Sequence, residues 1–205
     1  MPANTLVILD FETTGLSPTM GDRAIEIGAV RIKDGKVVDS FQELMNPGFY
    51  VDTFIENYTG ITNNMLTDAR CCGSVMQDFA EYIGDDNLVA HNASFDKRFL
   101  DAEFDAISHE YSGEFVCSML LARRLYQEAP NHQLGTLIKY RKITSSGEFH
   151  RALYDAEMTA KLWVKMLSDL SDTHYLSEPT FKQVLKLTKT SKSKITTVIE
   201  KWLNS

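Results

Sequence analysis

Asp10 and Glu12 stand one residue apart where an apolar run, Leu6 to Leu9, ends, and Thr13-Thr14-Gly15 breaks the pattern directly after them. In a strand, residues i and i+2 share a face, so both carboxylates project side by side. They repel unless a positive charge sits between them, and a divalent cation with oxygen ligands supplies one. Asp96 follows a short apolar run, in what reads as the first turn of a helix. Asp155 lies in the first turns of a later helix, five residues after His150. Five residues advance a helix by about 140° beyond a full turn, so His150 belongs on the loop before that helix or at its mouth. Singly, each has a plainer reading: a solvated acidic turn, a dipole-stabilised helix aspartate, a surface histidine. Together they are four carboxylates at element ends plus one histidine, the side chain that exchanges a proton near neutrality. An all-oxygen acidic set suits Mg2+ or Mn2+ rather than Zn2+. Two such ions about 3.5–4 Å apart are a known solution for hydrolysing a phosphodiester, with His150 taking the proton from water as general base.

Those residues need elements to hold them. Thr5 to Phe11 is apolar on both faces, as in a central strand. Ala24–Lys33 and Lys36–Leu44 flank Asp34-Gly35, a strong hairpin signal. Asn46 to Leu66 reads as irregular. Ser74 is the expected cap of a helix ending at Gly84, and Ser94 that of a helix carrying Phe95, Phe99, Leu100 and Phe104. Short strands are expected at Asn87–Ala90 and Glu114–Cys117, and helices over Ser118–Glu128 and Gln133–Tyr140. A loop at Ser145-Ser146-Gly147 precedes a long helix, Arg151–Leu170, with Ala156, Ala160, Trp163, Leu167 and Leu170 on one stripe. Beyond Ser171 two more helices are expected, one starting at Pro179 and one over Ile195–Leu203, joined by a polar, mobile link. Hairpin strands followed by alternating strands and helices predict an α/β protein with a mixed sheet covered by helices. The division is a main domain, 1–170, and a small helical C-terminal extension, 171–205.

At 205 residues, 43% hydrophobic and 24% charged, the chain is expected to be one soluble domain with a small appendage. No apolar run approaches the length needed to span a membrane. Three cysteines, with Cys71 and Cys72 adjacent, suggest neither a disulfide framework nor a zinc site, so a cytoplasmic setting is expected. The net charge of −7 argues against tight duplex binding. Residues 171–205 carry a balance of +3, leaving −10 for residues 1–170, part of which ligated cations would neutralise. A pocket for one strand end remains compatible with that. Phe181, Leu185, Ile195, Val198, Ile199 and Trp202 can dock on the chain's own core or, as an amphipathic helix, on a partner. The tail lysines form either a solvated face or a guide for a nucleic-acid backbone.

Asp10-Phe11-Glu12-Thr13-Thr14-Gly15, His91-Asn92-Ala93-Ser94-Phe95-Asp96 and His150-Arg151-Ala152-Leu153-Tyr154-Asp155 resemble the three motifs of the DEDDh 3′→5′ exonucleases, relatives of the proofreading epsilon subunit of bacterial DNA polymerase III. The resemblance spans roughly residues 5–170. The Cys117–Leu125 run and the third motif are similar to the exonuclease X branch. The resemblance implies an RNase H-like fold with a five-stranded mixed sheet, and ligation of two Mg2+ or Mn2+ ions by Asp10, Glu12 and Asp155. Asp96 would join directly or through water, and His150 would be the base. It implies that the backbone of Thr13, Thr14, Gly15 and Leu16 clamps the 3′-terminal nucleotide and that Leu16 wedges against its base. Asn92, Phe95 and Ile61 would line the pocket, and Glu26, in Ile25-Glu26-Ile27-Gly28-Ala29-Val30, fits a family signature that is mostly structural, with a hydrogen bond to the terminal hydroxyl as a second role. Where many relatives carry a histidine before Gly60-Ile61-Thr62, this chain has Thr59. The implied substrate is a nucleic acid 3′ end, single-stranded DNA first, with RNA trimming or a proofreading subunit bound to a polymerase or repair partner as alternatives. A homodimer is left open, since several members of the family dimerise.

Overall fold

A computed structural model describes residues 1–145 and 150–204. Three long strands come first: β1 (Leu6–Thr13), β2 (Ala24–Lys33) and β3 (Lys36–Asn46). Next are α1 (Thr53–Thr59), α2 (Asn63–Thr67), β4 (Arg70–Cys71), α3 (Cys72–Ile83), β5 (Leu88–Ala90), α4 (Ser94–Ala106) and β6 (Phe115–Cys117). The chain finishes with α5 (Ser118–Leu125), α6 (Leu134–Tyr140), α7 (Ala152–His174), α8 (Phe181–Lys189) and α9 (Ile195–Leu203). The sheet order is β4-β3-β2-β1-β5-β6. β2 is antiparallel to β1 and β3, joined to β3 by the tight Asp34-Gly35 turn, where both residues have positive φ. β5 is parallel to β1 and to β6, so the sheet is mixed, with β1 at its centre.

The period of two along β1 divides the core. Leu6 and Ile8 face α7 and α5, in a cluster that also holds Val30, Val89, Leu121, Ala156 and Trp163. Val7, Leu9 and Phe11 face α3 and α4, with Phe79, Phe99 and Phe104. Asp10 and Glu12 continue the even-numbered side and therefore project on the α7 face.

Several boundaries differ from expectation. β1 runs through Glu12 to Thr13, so both carboxylates lie within the strand. The sheet gains a sixth strand, β4, whose two residues pair parallel with Met45 and Asn46, a run too short to leave a periodic signal. The stretch read as irregular holds α1 and α2, capped by the side chains of Asp52 and Thr62. With seven and five residues, these helices are too short for apolar periodicity to mark them. α3 starts before Ser74 and α4 at Ser94 itself, neither with a side-chain cap. α5 stops at Leu125, and α7 continues past Leu170 to His174. Of the expected 145–147 loop, residues 146 and 147 lie outside those described.

The C-terminal helices pack on the main core. Thr180 and Gln183 form a reciprocal capping box that opens α8. Phe181, Val184, Leu187, Ile195 and Ile199 are buried in the same cluster as Trp163, and Leu185, Val198 and Trp202 pack partly buried against it. The N-terminal segment closes this layer: the Trp163 indole N–H donates to the Ala3 carbonyl at 2.7 Å, and Ala3 N–H donates to Pro179 O. No described helix is long and apolar enough to cross a membrane.

Candidate active site

Because Asp10 and Glu12 share the α7 face, they meet the residue that the first turn of α7 offers there, Asp155. Oxygen atoms of these three carboxylates all lie within 4.8 Å of one another. Asp155 Oδ2 accepts the His150 backbone N–H at 3.1 Å, whereas Oδ1 is buried with no hydrogen-bond partner among the described residues. An unpaired buried acceptor costs about 1–3 kcal/mol, and here it adjoins two other carboxylates. That all-oxygen set, with an orphaned oxygen within it, fits a hard divalent cation. Asp96 enters from the other layer. It lies in the first turn of α4, 2% exposed, and its Oδ1 accepts Phe11 N–H at 3.3 Å, tying α4 to β1 between the two strand carboxylates.

The electrostatics follow from this crowding. Removal from water, and then the Asp155 and Glu26 charges, push the Glu12 carboxyl up to about 8. Burial raises Asp96 to about 7, against two backbone N–H donors that favour its ionised form. Asp10 is raised well above the usual carboxylate range by burial and by Asp96, Asp155 and Glu12, and Asp155 is raised chiefly by burial. Four acids held reluctant to ionise together describe a site that binds either protons or a cation.

The carboxylates floor a cavity of about 520 Å³. Thr13, Gly15, Leu16, Asn92 and Phe95 line it, as expected, together with His150. The 13–17 turn is braced: Thr13 Oγ1 donates to Gly15 O at 2.7 Å, and Ser17 N–H donates to Asp22 at 2.9 Å. Leu16 is left 76% exposed at the rim. Three expected pocket residues do not line the cavity. Thr14 Oγ1 accepts Arg23 N–H behind the turn, and Ile61 is fully buried with Ile25, Val51 and Leu66. Glu26 is also fully buried, its carboxylate engaged by Arg151, the Ala152 N–H and Gln42. In place of Ile61 the cavity wall holds Phe54 and Tyr58 of α1, which the sequence reading missed. Their rings stack at 6.0 Å, and Tyr58 lies 4.3 Å from the His150 ring. An i, i+4 pair of aromatics was the available signal. Thr59, also at the cavity wall, bonds within α1, donating to Ile55 O.

A second cavity, of about 820 Å³, shares Tyr58, His91, Asn92, His150 and Asp155 with the first and continues past Met119, Arg123 and Gln133. Two non-glycine residues with positive φ, Asn92 and His150, sit where the cavities join. Such backbone persists only when its surroundings hold it. His91 is tied by its ring nitrogens to Ser118 Oγ and His132 O, both at 2.9 Å, and burial lowers its pKa to about 4.

The mixed sheet, the three motifs and the clustered carboxylates define a DEDDh exonuclease site, and the chain belongs to that family: the exonuclease family model matches residues 7–163. The PolC-type DNA polymerase III of Bacillus subtilis is 43% identical over 170 residues, 82% of this chain and 12% of the polymerase. That of Bacillus cereus is 44% identical over 167 residues, again 12% of its length. The chain thus spans about an eighth of these relatives. Among solved structures, exonuclease X in complex with 5′-overhanging duplex DNA matches with a TM-score of 0.68 and 31% identity, covering 89% of this chain and 99% of that one. The nuclease domain of 3′hExo bound to rAMP matches with a TM-score of 0.71 at 19% identity, covering 81% and 92%, a likeness of fold.

Proposed function

We propose that this chain is a divalent-ion-dependent 3′→5′ exonuclease that removes nucleoside 5′-monophosphates from the 3′ end of DNA, preferring a single strand. The carrying observation is the convergence of Asp10, Glu12 and Asp155 within 4.8 Å, with one Asp155 oxygen unpaired among the described residues. These three would hold two Mg2+ or Mn2+ ions, with Asp96 joining directly or through water. The ions would lower the pKa of water and stabilise charge on the phosphate and the leaving oxygen. The backbone of the braced 13–16 turn holds the terminal nucleotide. Leu16 and Phe95 border the terminal base, and Phe54 and Tyr58 offer flat faces to bases, which stack on aromatics without sequence preference. Such stacking needs unpaired bases, which supports a single-stranded end. His150 accepts the proton from the attacking water. Its ring rests on Tyr58 while its backbone holds Asp155, so base and ligand are coupled through one residue.

The likeness to PolC-type polymerases supports a second reading of the same chemistry, in which the unit acts beside or within a polymerase. The test is digestion of matched 5′-labelled single-stranded DNA and RNA oligomers with Mg2+ or Mn2+, an EDTA control and Asp10→Asn. A descending ladder on DNA, absent in both controls, is expected. A ladder on RNA alone would overturn the substrate, and none on either the activity.

A further inference from the structure

Glu26 and Gly28 lie two apart on β2, on its α7 face, and their register partners across the sheet are Glu12 and Asp10. The strand that faces the two carboxylates therefore also faces the start of α7. At Gly28 a Cβ would lie 2.0 Å from Leu153 N and 2.2 Å from Ala152 C, so the first turn of α7 rests directly on the β2 backbone. At Glu26 the contact is polar. Ala152 N–H, at the first position of α7, donates to Oε2 at 3.0 Å, and the Arg151 guanidinium donates to the same carboxylate from Nη2 at 2.7 Å and from Nε at 3.2 Å. Gln42 on β3 donates to Oε1 at 2.9 Å. α7 has no side-chain cap of its own at Arg151, so a carboxylate from another strand satisfies one of its free N–H groups. Glu26 is fully buried and Arg151 is 41% exposed at its side chain, so the acid is the fixed member and the arginine closes over it.

We infer that Glu26, with Arg151, is a positioning pair that seats the start of α7, and so sets where Asp155 and His150 stand relative to Asp10 and Glu12. The chain between the pair and the site is short. Arg151 follows His150 directly, and its carbonyl accepts Asp155 N–H at 3.0 Å. His150 holds its left-handed φ of 72° immediately before the anchored residue and donates its own N–H to Asp155. A shift of the Arg151 anchor therefore moves the base and the third carboxylate together. The inference rests on the exonuclease reading for its catalytic consequence, though not for its effect on cation binding.

The experiment is calorimetric titration of Mn2+ into the full chain, with kcat and KM for 3′-end hydrolysis of a single-stranded DNA oligomer. The variants are Glu26→Gln, Arg151→Lys, Arg151→Met and Glu26→Gln combined with Asp155→Asn, with Arg70→Ala, which breaks an exposed pair with Asp78, as control. Glu26→Gln is expected to melt cooperatively, to bind Mn2+ about tenfold more weakly and to lose kcat by about 10–100-fold, the range for outer partners of metal sites, with KM within about twofold. Arg151→Lys retains more of both than Arg151→Met. Adding Glu26→Gln to Asp155→Asn weakens Mn2+ no further, because one acts through the other. Wild-type Mn2+ affinity and kcat in both Glu26→Gln and Arg151→Met overturn the pair, as does strict additivity with Asp155→Asn. If Glu26→Gln does not fold, the two arginine variants decide by the same readouts. If the wild type hydrolyses neither DNA nor RNA, the exonuclease reading falls while the Mn2+ titrations still judge the pair. A wild type that binds no Mn2+ overturns both.

Discussion

Asp10, Glu12 and Asp155 present a conflict that ordinary folding avoids: three carboxylates share one space, and one of them keeps an oxygen with no donor among the described residues. Two measurements follow. Asp155→Asn removes a charge from this cluster, so the ion-free protein should melt at a higher temperature than wild type. Its 3′-end hydrolysis should fall by more than the roughly 10–100-fold that outer partners of a metal site supply. Equal or lower melting in EDTA would show that the cluster carries no repulsion. The second is a pH dependence. An acid whose folded pKa lies above its unfolded value holds its proton more tightly in the folded state. The stability it contributes is complete below the unfolded value and is lost as pH rises through the folded one. Asp96, raised from 3.8 to about 7, and Glu12, raised from 4.5 to about 8, spread that loss from about pH 4 to about pH 8. His91 acts in the opposite sense, losing stability as pH falls from its ordinary 6.5 toward about 4, so the carboxyls act unopposed by it only above pH 6.5. In EDTA the melting temperature should therefore drop from pH 6.5 to 8, and the rise produced by added Mn2+ should grow over the same interval. A flat EDTA profile would contradict the raised carboxyls.

β1 is the element on which both layers of the site converge. Its even positions deliver Asp10 and Glu12 to the α7 face, while the Phe11 N–H reaches across to Asp96 on α4. Helices on opposite sides of the sheet thus contribute to one pocket at the carboxyl end of the central strand, where open α/β sheets place their sites. α1 is the less anchored wall. Seven residues long, it depends on the Asp52 cap, whose Oδ1 accepts Phe54 N–H at 2.7 Å. Asp52→Ala should cost about 1 kcal/mol of stability. By loosening Phe54 and Tyr58, it should raise KM for a single-stranded oligomer more than it lowers kcat. An unchanged KM would remove α1 from substrate binding. The mixed sheet, the hairpin and the helix carrying Asp155 could all be read from apolar periodicity and from Asp34-Gly35. α1, α2 and β4 could not, because five to seven residues of helix or two of strand complete too few periods to stand out.

Across the molecule, residues 175–204 are bound into the fold. Phe181 is 1% exposed in the cluster that holds Trp163, so Phe181→Ala should cost about 3–5 kcal/mol. Deleting residues 175–205 should abolish cooperative thermal unfolding by circular dichroism, and a deletion that melts like the full chain would show the helices to be dispensable. Of the apolar tail residues, Phe181, Ile195 and Ile199 fill space beside α7 and α5, and Leu185, Val198 and Trp202 pack partly buried against the same cluster. The lysines on their outer faces remain exposed.

The sequence by itself determined the candidate residues and their order: Asp-x-Glu at a strand end, an aspartate opening a helix after the next buried strand, and His-x4-Asp before a long helix. Side-chain parity in a strand and the turn of a helix are local rules, so spacing marked these residues as candidates and the three motifs together singled them out. Tertiary structure decided which of them meet. It brought Asp155 within 4.8 Å of both strand carboxylates, put Phe54 and Tyr58 into the wall and took Ile61 into a separate apolar cluster. It also set Glu26, in a signature read as mostly structural, as the carboxylate beneath α7. Those outcomes depend on β2 lying against β1 in one register and on a helix more than a hundred residues away pressing onto Gly28. Packing of that kind has no local signature, because each contact is set by shape across the sheet and not by neighbours along the chain.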